Sequence, residues 1–83
     1  LIDVRQPEEL EMDGKIEGAV NIPLATVPLK VEEIKEIQGP KIIFCRSGGR
    51  SGQACQFLAQ NGLTDIYNGG GYMELQAVLE QVK

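Results

Sequence analysis

The sequence predicts an α/β fold, with a mainly parallel sheet of four to five strands and helices on both faces. Short apolar runs typical of strands alternate four times with segments whose apolar residues are spaced as on one face of a helix. In such an alternation each helix crosses one face of the sheet and returns the chain to start a parallel strand. A length of 83 residues predicts one small domain over 1–83.

The first half of the chain contains two predicted strands, each followed by a helix. Leu1–Val4 and Gly18–Ile22 are predicted strands. Glu8–Met12 is a predicted helix because Pro7 and the acidic residues after it favour a helix start. Val27–Ile37 is predicted as one helix before the breaker Gly39-Pro40. Its buried face is predicted from the spacing of Val27, Val31, Ile34 and Ile37.

The second half repeats this pattern. Lys41–Phe44 is predicted as the central strand because its apolar run is continuous. Gly52–Ala59 is a predicted helix and Asp65–Asn68 a predicted strand, after which Gly69–Gly71 is expected to turn the chain. The face of a last helix is predicted from Leu75, Val78, Leu79 and Val82.

Composition excludes several classes of function. The net charge of −4 argues against nucleic acid as a partner, and no apolar run approaches the roughly 18 residues that a membrane span needs. Histidine is absent, which rules out a Cys–His dyad and a Ser–His–Asp triad. With only two cysteines besides, no metal site is expected.

The most informative segment is the loop Cys45–Ser51, which joins the central strand to the next helix. It holds a thiol, two glycines, two serines and two arginines. Backbone N–H groups and the positive end of a helix dipole favour an anion at such a position and lower a thiol pKa. In parallel sheets, sites form at the carboxyl ends of strands, where Cys45 is predicted to lie. We therefore expect a nucleophilic thiolate in an anion-binding loop.

Two features leave alternatives open. Cys55 is interpreted as a small apolar residue near the buried face of its helix, with a resolving thiol as the alternative, and no disulfide to Cys45 is expected. The chain begins at Leu1 rather than methionine. The expected origins are a periplasmic protein whose signal peptide was removed, or a cytoplasmic domain.

Four segments, in order, resemble landmarks of the rhodanese family of sulfurtransferases. They are Asp3-Val4-Arg5 with Pro7 and Glu9 following, Lys15–Pro23, the loop Cys45–Ser51 and Gly70-Gly71-Tyr72. The chain is most similar to compact phage-shock-type members with a single domain, and it lacks the family's usual N-terminal strand and helix. It departs from the pattern at Lys15, Glu17 and Leu75, where histidine, proline and tryptophan are usual. These departures lie outside the loop and bear on substrate access and partner docking.

The resemblance implies transfer of sulfane sulfur through a persulfide on Cys45. Thiosulfate or a similar small anion would be the donor, cyanide or a thiol the acceptor, and no cofactor is implied. The backbone of Ser47, Gly48 and Gly49 would line the site. We expect the protein to be a monomer.

The two arginines of the loop each have two interpretations. Arg46 either attracts an anionic donor at the mouth of the site or is a solvated surface charge. Arg50 either binds the anion or holds loop carbonyls. Ser51 is expected to cap the following helix. Asp3 and Arg5 share one face of their strand, and Arg5 is expected to tie neighbouring loops together.

Two alternative functions remain. Phosphatases with a similar thiol loop use the spacing Cys-x5-Arg, whereas this chain has Cys-x4-Arg between Cys45 and Arg50. The shorter loop favours a site for one sulfur atom over a site for phosphate. A non-catalytic binding or sulfur-carrier module of a larger protein is the other hypothesis and ranks second. The departures at Lys15 and Glu17 and the missing N-terminal elements leave room for it.

Overall fold

Four parallel strands form one sheet in the computed structural model, which describes residues 1–81. The strands are β1 (Ile2–Asp3), β2 (Val20–Asn21), β3 (Lys41–Cys45) and β4 (Ile66–Gly71), in the spatial order β2-β1-β3-β4. All three pairings are parallel. The helices are α1 (Pro7–Asp13), a 3₁₀ helix (Leu24–Leu29), α2 (Val31–Glu36), α3 (Gly49–Gln60) and α4 (Tyr72–Gln81). The expected parallel α/β fold is confirmed.

Helices cover both faces of the sheet, as expected. Successive side chains of a strand point to opposite faces, and Ile43 and Phe44 of β3 lie in different apolar clusters. Ile43 is buried with Ala54 and Leu58 of α3, whereas Phe44 is buried with Tyr72 of α4. The strand β3 lies between β1 and β4, which confirms its predicted central position.

The helix predicted over Val27–Ile37 is in fact two short helices. A proline lacks the backbone N–H and its ring clashes with the preceding turn, so Pro28 prevents one continuous α-helix. The first part is the 3₁₀ helix, and α2 begins only at Val31. The apolar spacing still reports burial, because Val27 and Ile34 are both buried, while Ile37 lies beyond the end of α2.

The glycines Gly69–Gly71 do not turn the chain. They continue β4, and α4 begins directly at Tyr72. The pairing with β3 shifts by one residue here, since Ile43 pairs with Asn68 and Phe44 with Gly70. Gly69 is the extra residue of this β-bulge, and Gly70 has a positive φ of 80°. The bulge lies beside the loop Cys45–Ser51.

Val82, predicted on the face of the last helix, lies outside the described residues. Over residues 1–81, no helix has both the length and the apolar character required to cross a membrane.

Candidate active site

Fewer residues separate the strand from the helix in the segment Cys45–Ser51 than the sequence predicted. Cys45 is the last residue of β3 and α3 begins at Gly49, three residues earlier than the predicted start at Gly52. Gly48 is the N-cap residue, with a left-handed φ of 96° that favours glycine. A Cβ added to Gly48 would lie 3.3 Å from Cα of Gly70, so the loop packs closely against the bulge of β4.

The sulfur of Cys45 is buried at the carboxyl end of the central strand. The backbone N–H of Gly48 donates a hydrogen bond to Sγ over 3.0 Å, and Oγ of Ser51 lies 3.5 Å from Sγ. Burial opposes ionisation of this thiol, but hydrogen bonds from the Ser51 side chain and from the backbone of Ser51, Ser47 and Gly48 outweigh it. The pKa of Cys45 is thereby lowered to about 7. The thiol and the thiolate of Cys45 are therefore present in comparable amounts at neutral pH.

Ser51 does not cap the helix as expected, because the N-cap position belongs to Gly48 and Ser51 lies in the first turn of α3. Its hydroxyl lies within hydrogen-bond distance of three groups instead. These are Sγ of Cys45, the carbonyl oxygen of Gly48 at 3.1 Å and Oδ1 of Asn68 at 2.6 Å. Ser51 is fully buried and directly contacts the sulfur.

The guanidinium of Arg50 turns toward α1. It donates two hydrogen bonds to the carboxylate of Glu9, with Nη1–Oε2 and Nη2–Oε1 distances of 2.6 and 2.8 Å. Oε2 of Glu9 also accepts the backbone N–H of Gln6 over 2.8 Å. Hydrogen bonding by Arg50 and by Gln6 lowers the pKa of Glu9 to about 2. Arg50 thus bonds a carboxylate on another helix, a partner that neither interpretation of its role anticipated.

Arg46 lies in an open cleft beside the loop. Its side chain is 67% exposed, and Nη1 is 3.9 Å from Oδ2 of Asp13. The cleft has a volume of about 310 Å³, and its lining residues are Asp13, Arg46, Tyr72, Met73 and Glu74. Arg46 is therefore the exposed positive charge nearest in sequence to the thiol. The lining of this cleft also includes the carboxylates of Asp13 and Glu74 and does not include Cys45.

Asp3, the last residue of β1, and Arg5 form a buried ion pair. Arg5 donates to Oδ2 of Asp3 over 2.7 Å and to the carbonyl oxygen of Gly14 over 2.9 Å. Its guanidinium lies 4.1 Å from the ring centre of Tyr72, whose hydroxyl donates to the carbonyl oxygen of Asp13. These contacts connect β1, the end of α1 and the start of α4, so Arg5 holds together segments that flank the cleft.

Ser47 and Gly49, the remaining residues of the loop, contribute backbone rather than side-chain groups to the surroundings of the sulfur. Ser47 and Gly49 are exposed, and a Cβ added to Gly49 would meet no atom within 4 Å. Cys55 is a free, half-buried cysteine of α3 that packs against the apolar cluster of Ile43. Burial raises the pKa of its thiol, which is the opposite of the shift at Cys45. The surroundings of the two cysteines therefore favour the thiolate at Cys45 and the protonated thiol at Cys55.

Glu9 and Asn68 were not identified from the sequence as residues of the site. Glu9 was assigned to the first turn of a helix and to the opening landmark of the resemblance, without a contact to the thiol loop, and Asn68 was assigned only to a strand. For Asn68 the sequence does carry a signal, the run Gly69-Gly70-Gly71 that follows it, because glycine within a strand is typical of a bulge. No comparable signal marks Glu9, because its partner is 41 residues away along the chain.

Comparisons with known proteins agree with this geometry. The family model described as "Rhodanese-like domain" matches residues 1–77. The chain is 47% identical to the uncharacterized protein YqhL of Bacillus subtilis, over 82% of this chain and 52% of that protein. It is 38% identical to a sulfurtransferase of Allochromatium vinosum, over 82% of this chain and 62% of that protein. The chain thus spans only about half to three fifths of these two relatives.

Two further similarities cover more of the compared protein. Thiosulfate sulfurtransferase PspE of Escherichia coli is 33% identical, over 89% of this chain and 71% of that protein. A solved structure of a rhodanese with anions from E. coli superposes with a TM-score of 0.76 at 34% identity, over 88% of this chain and 86% of that chain. With its parallel sheet, its thiol loop and a family model matching residues 1–77, the chain belongs to the rhodanese-like domain family.

Proposed function

We propose that this protein transfers sulfane sulfur from thiosulfate, or a similar donor, to a thiophilic acceptor through a persulfide on Cys45. The observation that carries the proposal is the hydrogen bond of 3.0 Å from the Gly48 N–H to Sγ of Cys45 at the end of β3. A buried sulfur that accepts a backbone N–H is stabilised as an anion, and a thiolate is the form that attacks another sulfur. We propose that residues 1–83 act as one domain and as a monomer.

The reaction has two steps, as covalent nucleophilic catalysis requires. The Cys45 thiolate attacks the outer sulfur of thiosulfate and forms a sulfur–sulfur bond. The original bond of thiosulfate breaks, its electron pair leaves with sulfite, and Cys45 carries a persulfide anion. A cyanide ion or a thiolate then attacks the terminal sulfur, which leaves with the acceptor and restores the Cys45 thiolate.

The surroundings of the loop support both steps. The exposed guanidinium of Arg46 at the wall of the cleft attracts a dianionic donor to a chain whose net charge is −4. The helix α3 begins at Gly49, so its positive end faces the loop and favours negative charge on the bound sulfur. No histidine is present to act as a base, and none is needed by a thiol with a pKa of about 7.

A phosphatase activity is disfavoured by two features. The loop has the spacing Cys-x4-Arg, one residue shorter than the phosphatase pattern it resembles. In addition, both terminal nitrogens of Arg50 are engaged by Glu9 at 2.6 and 2.8 Å. An arginine held in this way does not offer its planar fork to a phosphate.

Mass spectrometry of the protein after incubation with thiosulfate tests the proposal. We expect a gain of one sulfur on Cys45, its loss on addition of cyanide, and formation of thiocyanate. Cys45→Ser should abolish both signals, while Cys55→Ser should keep them. Absence of the adduct on the unmodified protein would overturn the proposal, and hydrolysis of p-nitrophenyl phosphate that depends on Cys45 would favour a phosphatase.

The competing hypothesis is a non-catalytic binding or sulfur-carrier module. Lys15 and Glu17, which differ from the family pattern, are both exposed and so are placed to contact a partner. Cys45→Ser separates the transfer reaction from a binding module, because a binding module keeps its partner function without the thiol. A sulfur carrier would lose its function in this variant, and it is distinguished by forming the adduct without producing thiocyanate.

A further inference from the structure

The single hydroxyl hydrogen of Ser51 has several acceptors within reach. A serine hydroxyl donates one hydrogen bond and accepts others. When Cys45 is protonated, its S–H donates to Oγ of Ser51, at 3.5 Å, and the Ser51 hydrogen is free to point elsewhere. The nearest acceptor is Oδ1 of Asn68 at 2.6 Å, followed by the carbonyl oxygen of Gly48 at 3.1 Å.

The amide of Asn68 is fixed with its oxygen toward Ser51. Oδ1 also accepts the backbone N–H of Gly70 over 2.9 Å, and Nδ2 donates to the carbonyl oxygen of Gly48 over 3.2 Å. Reversing the amide would place an NH₂ group against the Gly70 N–H and an oxygen against the Gly48 carbonyl. Both bonds therefore oppose reversal, and Ser51 faces an acceptor.

The bulge in β4 brings Asn68 to this position. Gly69 is unpaired between Asn68 and Gly70, and bulges next to active sites are known to re-aim side chains. Gly48 packs closely against Gly70, since a Cβ added to Gly48 would lie 3.3 Å from Cα of Gly70. Asn68, the bulge and the loop thus form one contact region, although the Asn68 residue itself is exposed.

We propose that Asn68 is a positioning residue that competes with the Cys45 sulfur for the hydroxyl hydrogen of Ser51. In the protonated state the hydrogen lies on the Asn68 side, and the thiol donates to Ser51. When the thiol loses its proton to solvent, the hydroxyl rotates and donates to the sulfur anion, at the expense of its bond to Asn68. Asn68 therefore favours the protonated thiol, whereas Ser51 favours the thiolate.

This competition deepens the proposed function, on which it rests only for the role of Cys45 as the reacting thiol. A site of this kind holds its sulfur close to half ionised near neutral pH rather than fully charged. The attacking thiol is most effective when its pKa is near the ambient pH, since a lower pKa also weakens the nucleophile. Asn68 would thus tune the first step of the transfer without contacting the donor.

The test is an absorbance titration of the thiolate near 240 nm in a Cys55→Ala background, in which Cys45 is the only thiol. We expect Asn68→Ala to lower the titration midpoint of Cys45 by about half to one pH unit, the size of one competing hydrogen bond. Ser51→Ala should raise the midpoint. In the double variant, Asn68→Ala should have no effect, because the hydroxyl for which the two groups compete is absent.

A matched control and a second variant keep the result interpretable. Asn61→Ala removes an exposed amide that bonds the carbonyl oxygen of Phe57, far along α3 from the thiol, and should leave the midpoint unchanged. Asn68→Val also removes the acceptor with a residue that suits a strand. An unchanged or raised midpoint in both Asn68 variants would overturn the proposal. The proposal would also be overturned if Asn68→Ala shifted the midpoint of Cys45 equally with and without the Ser51→Ala change.

The titration requires no sulfur donor, so its outcome is independent of the transfer reaction. If thiosulfate forms no adduct but the midpoints shift as expected, the proposed function fails and the competition stands. If the adduct forms but the midpoints do not shift, the role of Asn68 fails alone.

Discussion

Glu9 and Arg50 form a two-point ion pair between the first turn of α1 and the first turn of α3. The Nη1–Oε2 and Nη2–Oε1 distances are 2.6 and 2.8 Å, and the residues are 41 positions apart in sequence. The pair is partly shielded, with Arg50 35% and Glu9 24% exposed. It is bidentate, the arrangement in which arginine and carboxylate bind most strongly and with a fixed geometry. The loop that holds Cys45 is therefore tied to α1.

Replacing Glu9 with glutamine should destabilise the protein and loosen the loop. The variant leaves the Arg50 guanidinium without its carboxylate in a partly shielded position, at a cost of about 1–2 kcal/mol in the free energy of unfolding. Urea unfolding measures this loss. We also expect slower persulfide formation, because the first turn of α3 carries the groups that bond the sulfur.

Glu8→Gln is the matched control for this change. Glu8 is the exposed neighbour of Glu9 in the same turn, so the two variants have the same net charge and nearly the same helix dipole interaction. Equal stability losses in the two variants would contradict a specific role for the pair.

The same pair predicts an acid-dependent loss of stability. Because the folded-state pKa of Glu9 is lowered to about 2 from its ordinary value of 4.5, the folded protein binds a proton here less readily than the unfolded chain. The stabilisation is fully present above pH 4.5 and is lost as the pH falls toward 2. The difference in unfolding free energy between the unmodified protein and Glu9→Gln should therefore shrink across this range. A difference that stays constant would contradict the assignment.

Local pattern was sufficient for the order of the elements and for the thiol loop. The continuous apolar run of β3 predicted a buried central strand, and the loop after it predicted a sulfur at the end of that strand. Those features depend on neighbours along the chain. The apolar spacing also identified Val27 and Ile34 as buried, even though the effect of Pro28 on the helix between them was missed.

Contacts between distant segments could not be predicted in this way. The partner of Arg50 depends on how α1 packs beside α3, and the role of Asn68 depends on a register shift in β4. Ser51 was expected to cap a helix that starts at Gly52, but the helix starts at Gly49 and the hydroxyl reaches the sulfur instead. Each of these features is a property of the packed fold.

The two cysteines should titrate in different ranges. The environment of Cys45 lowers its pKa to about 7, whereas burial of Cys55 with no compensating hydrogen bond raises its pKa. Absorbance titration of Cys55→Ala reports Cys45, and that of Cys45→Ser reports Cys55. The rate of persulfide formation should follow the first titration, rising as the pH passes through about 7. Coincident titrations of the two variants would contradict the difference in environment.

Neutralising Arg46 should weaken donor binding and leave the chemical step nearly unchanged. The side chain is 67% exposed at the wall of the cleft, so its charge acts through solvent. We expect Arg46→Gln to raise KM for thiosulfate about fivefold, the size of one charge–charge interaction of roughly 1 kcal/mol, and to alter kcat little.

Lys35→Gln is the control for Arg46→Gln, because it removes an exposed positive charge from α2. Nζ of Lys35 lies 3.8 Å from Oε1 of the exposed Glu32. Added salt should raise KM for the unmodified protein and for Lys35→Gln, but less for Arg46→Gln. A fall in kcat with KM unchanged would indicate that Arg46 acts on the reacting atoms.

Replacing Gly48 with alanine should disable the site beyond its effect on stability. Gly48 has a φ of 96°, and a Cβ there would lie 3.3 Å from Cα of Gly70. Gly39 has a φ of 82° but has no atom within 4 Å of such a Cβ, which makes Gly39→Ala a control for backbone strain alone. Each variant should lose about 1–2 kcal/mol of unfolding free energy, the cost of a left-handed residue with a side chain.

Only Gly48→Ala should also lose activity, because the added methyl group pushes the loop away from β4. That displacement moves the Gly48 N–H from its position 3.0 Å from Sγ of Cys45, so the thiol loses a hydrogen bond that stabilises its anion. The titration midpoint of Cys45 should therefore rise in Gly48→Ala and stay unchanged in Gly39→Ala. Equal activities of the two variants at a temperature where both are folded would show that the approach of Gly48 to Gly70 does not hold the sulfur site together.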